Sequence, residues 1–273
     1  PMSSRIVVKV GTSTLTHPGG GMNFKNIDRL ARVLSDLHND GNEVILVSSG
    51  AIGCGCGKLR MPSRPTELSL KQAAAAVGQC ELMHLYDKFF GEYGVITGQI
   101  LLTREDVDQP TIRENLINTF HALLQLGVVP VVNENDSVSH AEIAASHITF
   151  GENDTLSAVV AGLCGADLLV LLSDIDGLYD DDPHKNPNAH LIPQVEALTD
   201  DILALAGGAG TGFGTGGMIT KLNAARIAME QGFDMVITNG ANPENLYFLT
   251  HGGQIGTRFC GKRAGGEKAA ERS

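Results

Sequence analysis

With 273 residues, 42% of them hydrophobic and 19% charged, the chain can remove roughly three quarters of its unfolded surface from water, which excludes a disordered protein. Twenty Lys and Arg against 31 Asp and Glu give a formal net charge of −11, which excludes a nucleic-acid binder that works through a basic face. No apolar run approaches the ~20 residues a bilayer needs, so no membrane partner is expected.

Residues 1–5 run straight into a strand over 6–10, with no secretory leader. That strand is apolar except for Lys9 and is followed by Gly11-Thr12-Ser13. A helix over 24–40 leads to a strand at 43–48 and then to Ser49-Gly50-Ala51. A helix over 69–93 precedes a strand at 95–102; a helix over 113–126 precedes a strand at 128–133 that ends in Asn133-Glu134-Asn135-Asp136. Beyond Gly151-Glu152-Asn153-Asp154, a helix over 155–164 leads to a strand at 168–173 closed by Ser173-Asp174. A helix at 200–205, a glycine-rich stretch, a helix over 218–231 and a strand at 235–238 complete the pattern. Residues 261–273 lose all periodicity and read as a tail.

Strands that are continuously apolar rather than alternating are covered on both faces. Their regular exchange with helices predicts an α/β protein, a three-layer αβα sandwich around a mainly parallel sheet. Ligands in such sheets bind at the carboxyl ends of the strands, where the polar tetrads and glycines fall. The five cysteines are odd in number and contain no CxxC pair, which points to a reducing, cytoplasmic setting.

Three patterns fail on context. Gly212-x-Gly214-x-x-Gly217 matches a dinucleotide fingerprint, but a helix end stands where the strand belongs. Cys54-Gly55-Cys56-Gly57-Lys58 ends like a phosphate loop, yet Ile52 and Leu59 occupy its key positions. The segment 244–248 resembles an engineered protease site, but Leu249 stands where Gln would be required, so it reads as an ordinary strand.

The remaining signals concern phosphate and amino-acid chemistry. A lysine inside a doubly covered strand is costly unless it meets an anion, and Gly11 lets backbone approach phosphate oxygens. Gly216-Gly217-Met218-Ile219-Thr220-Lys221 opens a helix whose free N–H groups favour phosphate, while Lys221 opposes the macrodipole there. The amide-carboxylate groups around Asp136 and Asp154 suit a zwitterionic substrate; Asp154 is alternatively a helix N-cap worth ~1 kcal/mol.

Eight segments together resemble the amino acid kinase family: 6–16, 47–52, 71–79, 100–106, 129–138, 151–158, 171–183 and 214–221. Order and spacing agree across residues 5–259, and three of the segments (71–79, 129–138 and 151–158) resemble the branch that phosphorylates glutamate. The resemblance implies one kinase domain over 1–260, its N-terminal part binding glutamate and its C-terminal part ATP, with no room for an appended PUA domain. It implies transfer from ATP, with Mg²⁺, to the side-chain carboxylate of L-glutamate, giving L-glutamyl 5-phosphate, the first step of proline synthesis. By the same likeness Lys9 and Lys221 stabilise the transferring group and Asp154 holds both ammoniums. Ser49, Gly50, Ala51, Asp136 and Asn153 would bind glutamate. Lys9, Gly11, Ser173, Asp174, Thr215, Gly216, Gly217, Met218, Ile219, Thr220 and Lys221 would bind ATP. No metal ligand is assigned. Proline as a feedback inhibitor and a homo-oligomer, dimer or tetramer, are implied only by the likeness. Two departures stand out: Glu152 replaces the usual Asp, and 140–150 is a few residues longer. On residues alone, a sibling kinase acting on acetylglutamate, aspartate, carbamate or a nucleoside monophosphate stays open. So does a non-catalytic binding protein on the same fold.

Overall fold

The computed structural model describes residues 3–17, 21–138, 153–183, 185–207 and 217–261. In chain order they form β1 (Arg5–Val10), α1 (Thr12–Leu15), α2 (Phe24–Asn39), β2 (Glu43–Ser48), α3 (Ala51–Lys58) and α4 (Leu68–Glu92). Then follow β3 (Ile96–Leu102), α5 (Arg104–Asp108), α6 (Pro110–Gln125), β4 (Val128–Glu134), α7 (Asn153–Cys164) and β5 (Leu168–Ser173). The last third contains β6 (Gln194–Val195), α8 (Asp200–Gly207), α9 (Gly217–Gln231), β7 (Asp234–Asn239), α10 (Asn245–Thr250) and β8 (Thr257–Phe259).

The strands make one sheet in the order β3-β4-β2-β1-β5-β7-β8-β6, parallel except where β7 meets β8. β1 lies in the middle, paired to β2 on one side and β5 on the other, so Lys9 is not an edge lysine. Successive residues of a strand face opposite sides, and two cores follow from that period. Ile6, Val8 and Val10 pack under α2 and α4 against Leu30, Leu34, Tyr86 and Phe90. Val7 packs on the other side against Phe120 of α6, Leu156 of α7 and Ala225 of α9. Lys9 shares the parity of Val7 and therefore points to the face that carries α7 and α9. Among the described residues no helix is long and apolar enough to cross a membrane.

The structure corrects the reading of 244–248 as a strand. This stretch enters the helix α10, because Leu246 and Leu249 are both buried in the α2 core and their spacing of three fits a helix turn. Arg29 of α2 holds Glu244, the residue before the helix, by two bonds of 3.1 and 2.7 Å. The cysteine-glycine run at 54–58 also has a structural role, in α3. A Cβ on Gly55 would lie 1.8 Å from the Ala74 carbonyl oxygen, and one on Gly78 1.7 Å from that of Ala51. The two glycines let α3 and α4 cross backbone against backbone. Gly78→Ala is expected to force them apart at a cost of about 3 kcal/mol, lowering Tm by roughly 6–10 °C in thermal unfolding. The tail expected over 261–273, beyond Gly261, and the long 140–150 segment lie outside the described residues.

Candidate active site

The face shared by β1, α7 and α9 brings four predicted residues, Lys9, Asp154, Thr220 and Lys221, into one cluster. Asp154, in the first turn of α7, is fully buried and takes the Lys9 ammonium on Oδ1 at 2.6 Å. Its Oδ2 accepts from Lys221 Nζ at 3.1 Å and from Thr220 Oγ1 at 2.9 Å. Burial alone would push this carboxyl up, but the two lysines beside it hold it below the usual carboxylate range. Asp154 is thus one residue inside the helix α7, which starts at Asn153, and its side chain serves the lysines rather than capping the helix.

Both ammoniums are nearly buried, and two positive charges on one carboxylate leave the cluster at +1. Such a surplus in a low-dielectric setting calls for an anion. The surroundings are built for one. A Cβ placed on Gly11 would stand 3.7 Å from Lys9 Nζ, so the bare glycine keeps the approach to that ammonium clear. Lys221 Nζ also donates to the Gly217 carbonyl at 3.3 Å, which draws it towards the start of α9. That 15-residue helix begins next to the cluster, and the first N–H groups of a helix have no partner within the helix, which favours phosphate.

The other predicted nucleotide residues are distributed around this point. Ser173 and Asp174 stand at the top of β5, where the serine hydroxyl donates to the Asp174 carboxylate at 3.0 Å. Met218 is buried in the core and Ile219 is exposed, so their part in a nucleotide site rests on backbone. Thr215 and Gly216 lie outside the described residues, as does Glu152.

A second set of polar groups occupies the tops of β2, β3 and β4. Asn153 donates its amide to the Ser48 carbonyl at 3.0 Å and to Asn133 Oδ1 at 2.8 Å. Ser49 is tied to β1 by its N–H, which donates to the Val10 carbonyl at 3.0 Å. Gly50 turns the chain into α3 at φ +100°, a conformation that favours glycine. Ala51 and Asp136 both line a cavity of about 500 Å³ between α4 and the strand tops, together with Gln79, Gln99, Glu134 and Met83. Gln79 and Gln99 were not singled out by residue reading. Their only signal is a polar residue ending the alanine-rich turn of α4 and another on an otherwise apolar strand.

The cavity is acidic and partly desolvated. Burial pushes Glu134 up to about 7, and the Asp136 carboxylate adds to the rise. Asp136 is itself raised by burial, against the pull of Arg64. A carboxyl raised on folding binds its proton more tightly in the folded state, so its stability contribution fades as pH climbs from 4.5 through about 7. Glu134→Gln removes that loss. The variant should match the parent in Tm near pH 4.5 and exceed it by about 3 °C at pH 8, after discounting for solvent screening. Parallel melting curves across that range check the divergence.

An α/β sandwich with two lysines on one buried carboxylate, beside the helix that starts at Gly217, is an arrangement suited to an anionic group at the strand tops. The chain belongs to the amino acid kinase family, whose model matches residues 4–239. It is 54% identical over 262 residues to a glutamate 5-kinase of Listeria welshimeri, covering 96% of this chain and 94% of that one. To a glutamate 5-kinase of Clostridium perfringens it is 52% identical over 261 residues, 96% of this chain and 97% of the other. Among solved structures, carbamate kinase from Giardia lamblia bound to AMP-PNP superposes with a TM-score of 0.67 at 16% identity, covering 95% of this chain and 99% of that chain. UMP kinase from Ureaplasma parvum gives 0.63 at 15% identity, over 95% and 100% of the two chains. These last two speak for the fold alone.

Proposed function

We propose that the chain transfers the γ-phosphoryl group of ATP to the side-chain carboxylate of L-glutamate, giving ADP and L-glutamyl 5-phosphate, the first step of proline synthesis. The observation that carries this reading is 52–54% identity to glutamate 5-kinases over 96% of the chain. The site supplies matching chemistry. A glutamate side chain is ionised near pH 7, its ordinary pKa being ~4.3, so no general base is required. The difficulty is to bring two anions together, and phosphoryl transfer is mainly positioning plus neutralisation of charge. Lys9 and Lys221 neutralise the transferring group, Asp154 holds them apart, and the start of α9 with Gly11 receives the phosphates.

In this assignment Ser49, Gly50, Ala51, Asp136 and Asn153 hold glutamate in the half of the domain that ends at β4 and the start of α7. Ser173, Asp174 and the segment from Thr215 to Lys221 hold ATP in the other half. Among the described residues no group of three His, Cys, Asp or Glu is placed to hold a metal. Mg²⁺ would enter with the nucleotide and supply neutralisation of phosphate charge, since this ion commonly keeps phosphate and water ligands without a protein carboxylate cage. The five free cysteines agree with a reducing, cytoplasmic setting.

Proline is expected to inhibit by overlapping the glutamate cavity at Asp136, and activity unchanged at high proline would contradict this. The exposed Ile96 and Leu126, at one end of the β3–β4 edge, support a homo-oligomer, which light scattering in solution measures directly. The test of the whole reading is a substrate panel with ADP detection. Glutamate-dependent release is expected; turnover with acetylglutamate or UMP but not glutamate would overturn it.

A further inference from the structure

We propose that Gln79 is a positioning residue for the acceptor substrate: it accepts the bond of the buried Asn133 NH2 and, through Asn133, aims Asn153. The inference rests on the assignment of Asn153 as a glutamate contact. Asn133 is buried at the end of β4. Its Oδ1 accepts from Asn153 Nδ2 at 2.8 Å and from the Glu134 N–H at 2.8 Å. Its Nδ2 donates to Gln79 Oε1 at 2.9 Å.

A carboxamide has two orientations that exchange its oxygen and nitrogen. Turned over, Asn133 would set its NH2 against two donors, those of Asn153 and Glu134. The native orientation leaves that NH2 on the far side, where a buried donor needs an acceptor at a cost of about 1–3 kcal/mol if none is present. Gln79 Oε1 is that acceptor. The orientation of Gln79 is set in turn, because its Nε2 donates to Gln99 Oε1 at 3.1 Å. Its place along α4 is fixed as well. It follows Gly78, the residue pressed against the Ala51 carbonyl of α3.

The chain of amides thus runs from Gln99 through Gln79 and Asn133 to Asn153, and ends on the Ser48 carbonyl at 3.0 Å. Both of these Asn153 bonds use its Nδ2, so its amide protons are committed to the scaffold. What Asn153 can offer an amino-acid substrate is its carbonyl oxygen, an acceptor for an ammonium group. Loss of the Gln79 acceptor leaves the buried Asn133 NH2 unpaired, so Asn133 shifts towards another acceptor and loosens the partner that aims Asn153.

Gln79→Met preserves length and packing but removes the acceptor. The expected result is a rise of about tenfold in KM for glutamate, with kcat and KM for ATP within about twofold and Tm lowered by roughly 2–6 °C for the unpaired donor. In an Asn153→Ala background the same change should raise KM for glutamate less than twofold, because the path through Asn153 is already cut. An unchanged KM for Gln79→Met overturns the proposal, and so does a full tenfold rise in the Asn153→Ala background, which would place Gln79 on the substrate itself. An independent readout is the side-chain NH2 resonance of Asn153 in ¹⁵N-labelled protein. Gln79→Met should speed its hydrogen exchange at least tenfold, and unaltered exchange also overturns the proposal. This measurement needs no turnover. A parent protein that ignores glutamate thus contradicts the function without deciding the role of Gln79.

Discussion

Asp154→Asn is expected to lower kcat for glutamate-dependent ADP release by about 10³-fold or more. The reason lies in what an amide cannot do. The native carboxylate takes Lys9 on one oxygen, and Lys221 with Thr220 on the other. An asparagine offers one oxygen and one NH2, so its NH2 end confronts a donor and one lysine must move. Removal of a single preorganised charge-stabilising donor costs 10²–10³ in kcat, and misplacement of the second adds to it.

The same substitution should also destabilise the protein. It leaves two buried ammoniums without their counter-charge, a loss of about 3–5 kcal/mol, or roughly 10 °C in Tm. Saturating ATP should restore part of that loss, since its phosphates bring negative charge to the same place and bind the folded state. The pH dependence has a definite sign. Asp154 is held below its ordinary value of 3.8, so its contribution is present above that pH and fades as pH falls below it. The Tm gap between parent and variant should therefore be constant from about pH 5 to 8 and close under more acidic conditions. Unfolding followed by circular dichroism, paired with steady-state kinetics, checks both effects. An unchanged kcat would remove Asp154 from the mechanism.

Lys9→Met and Lys221→Met should each lower kcat by about 10²–10³, with KM for glutamate little changed. Methionine keeps the apolar stem of the side chain and removes only the charge, and the lysine that stays forms a neutral pair with Asp154. Stability should thus suffer less than in Asp154→Asn. The two effects should not multiply. Both lysines bond to the same carboxylate, so the double variant is expected to lose about 10³–10⁴ rather than the product. A binding or storage protein on this fold has no need of either ammonium. Retention of glutamate-dependent ADP release in either single variant would remove that lysine from the catalytic role assigned to it, and absence of such release from the parent protein would favour the binding role.

The sheet was legible because β1, β2, β4, β5 and β7 are covered on both faces and show as unbroken apolar runs. Lys9 was legible for the same reason: it interrupts such a run. The short elements were not. α1, α5, β6 and β8 are too brief to show a period, and α3 is masked by glycines that serve its contact with α4. α10 misled because the short apolar and aromatic run 246–248 resembles a strand, whereas its buried pair, Leu246 and Leu249, becomes visible only with the α2 surface in place. In the site, charge in an apolar strand revealed Lys9, and a cation opposing the macrodipole at a helix start revealed Lys221. Burial and Asp136 shift Glu134, and hydrogen bonds give Gln79 a part that its place at the end of the 71–79 segment did not disclose.

The acid test is the product itself. With glutamate, MgATP and hydroxylamine, the protein should form glutamyl hydroxamate in step with ADP, because an acyl phosphate is trapped as it appears. ADP released from glutamate and ATP without hydroxamate, or hydroxamate formed from acetylglutamate and not from glutamate, would contradict the assignment of the side-chain carboxylate as the phosphoryl acceptor.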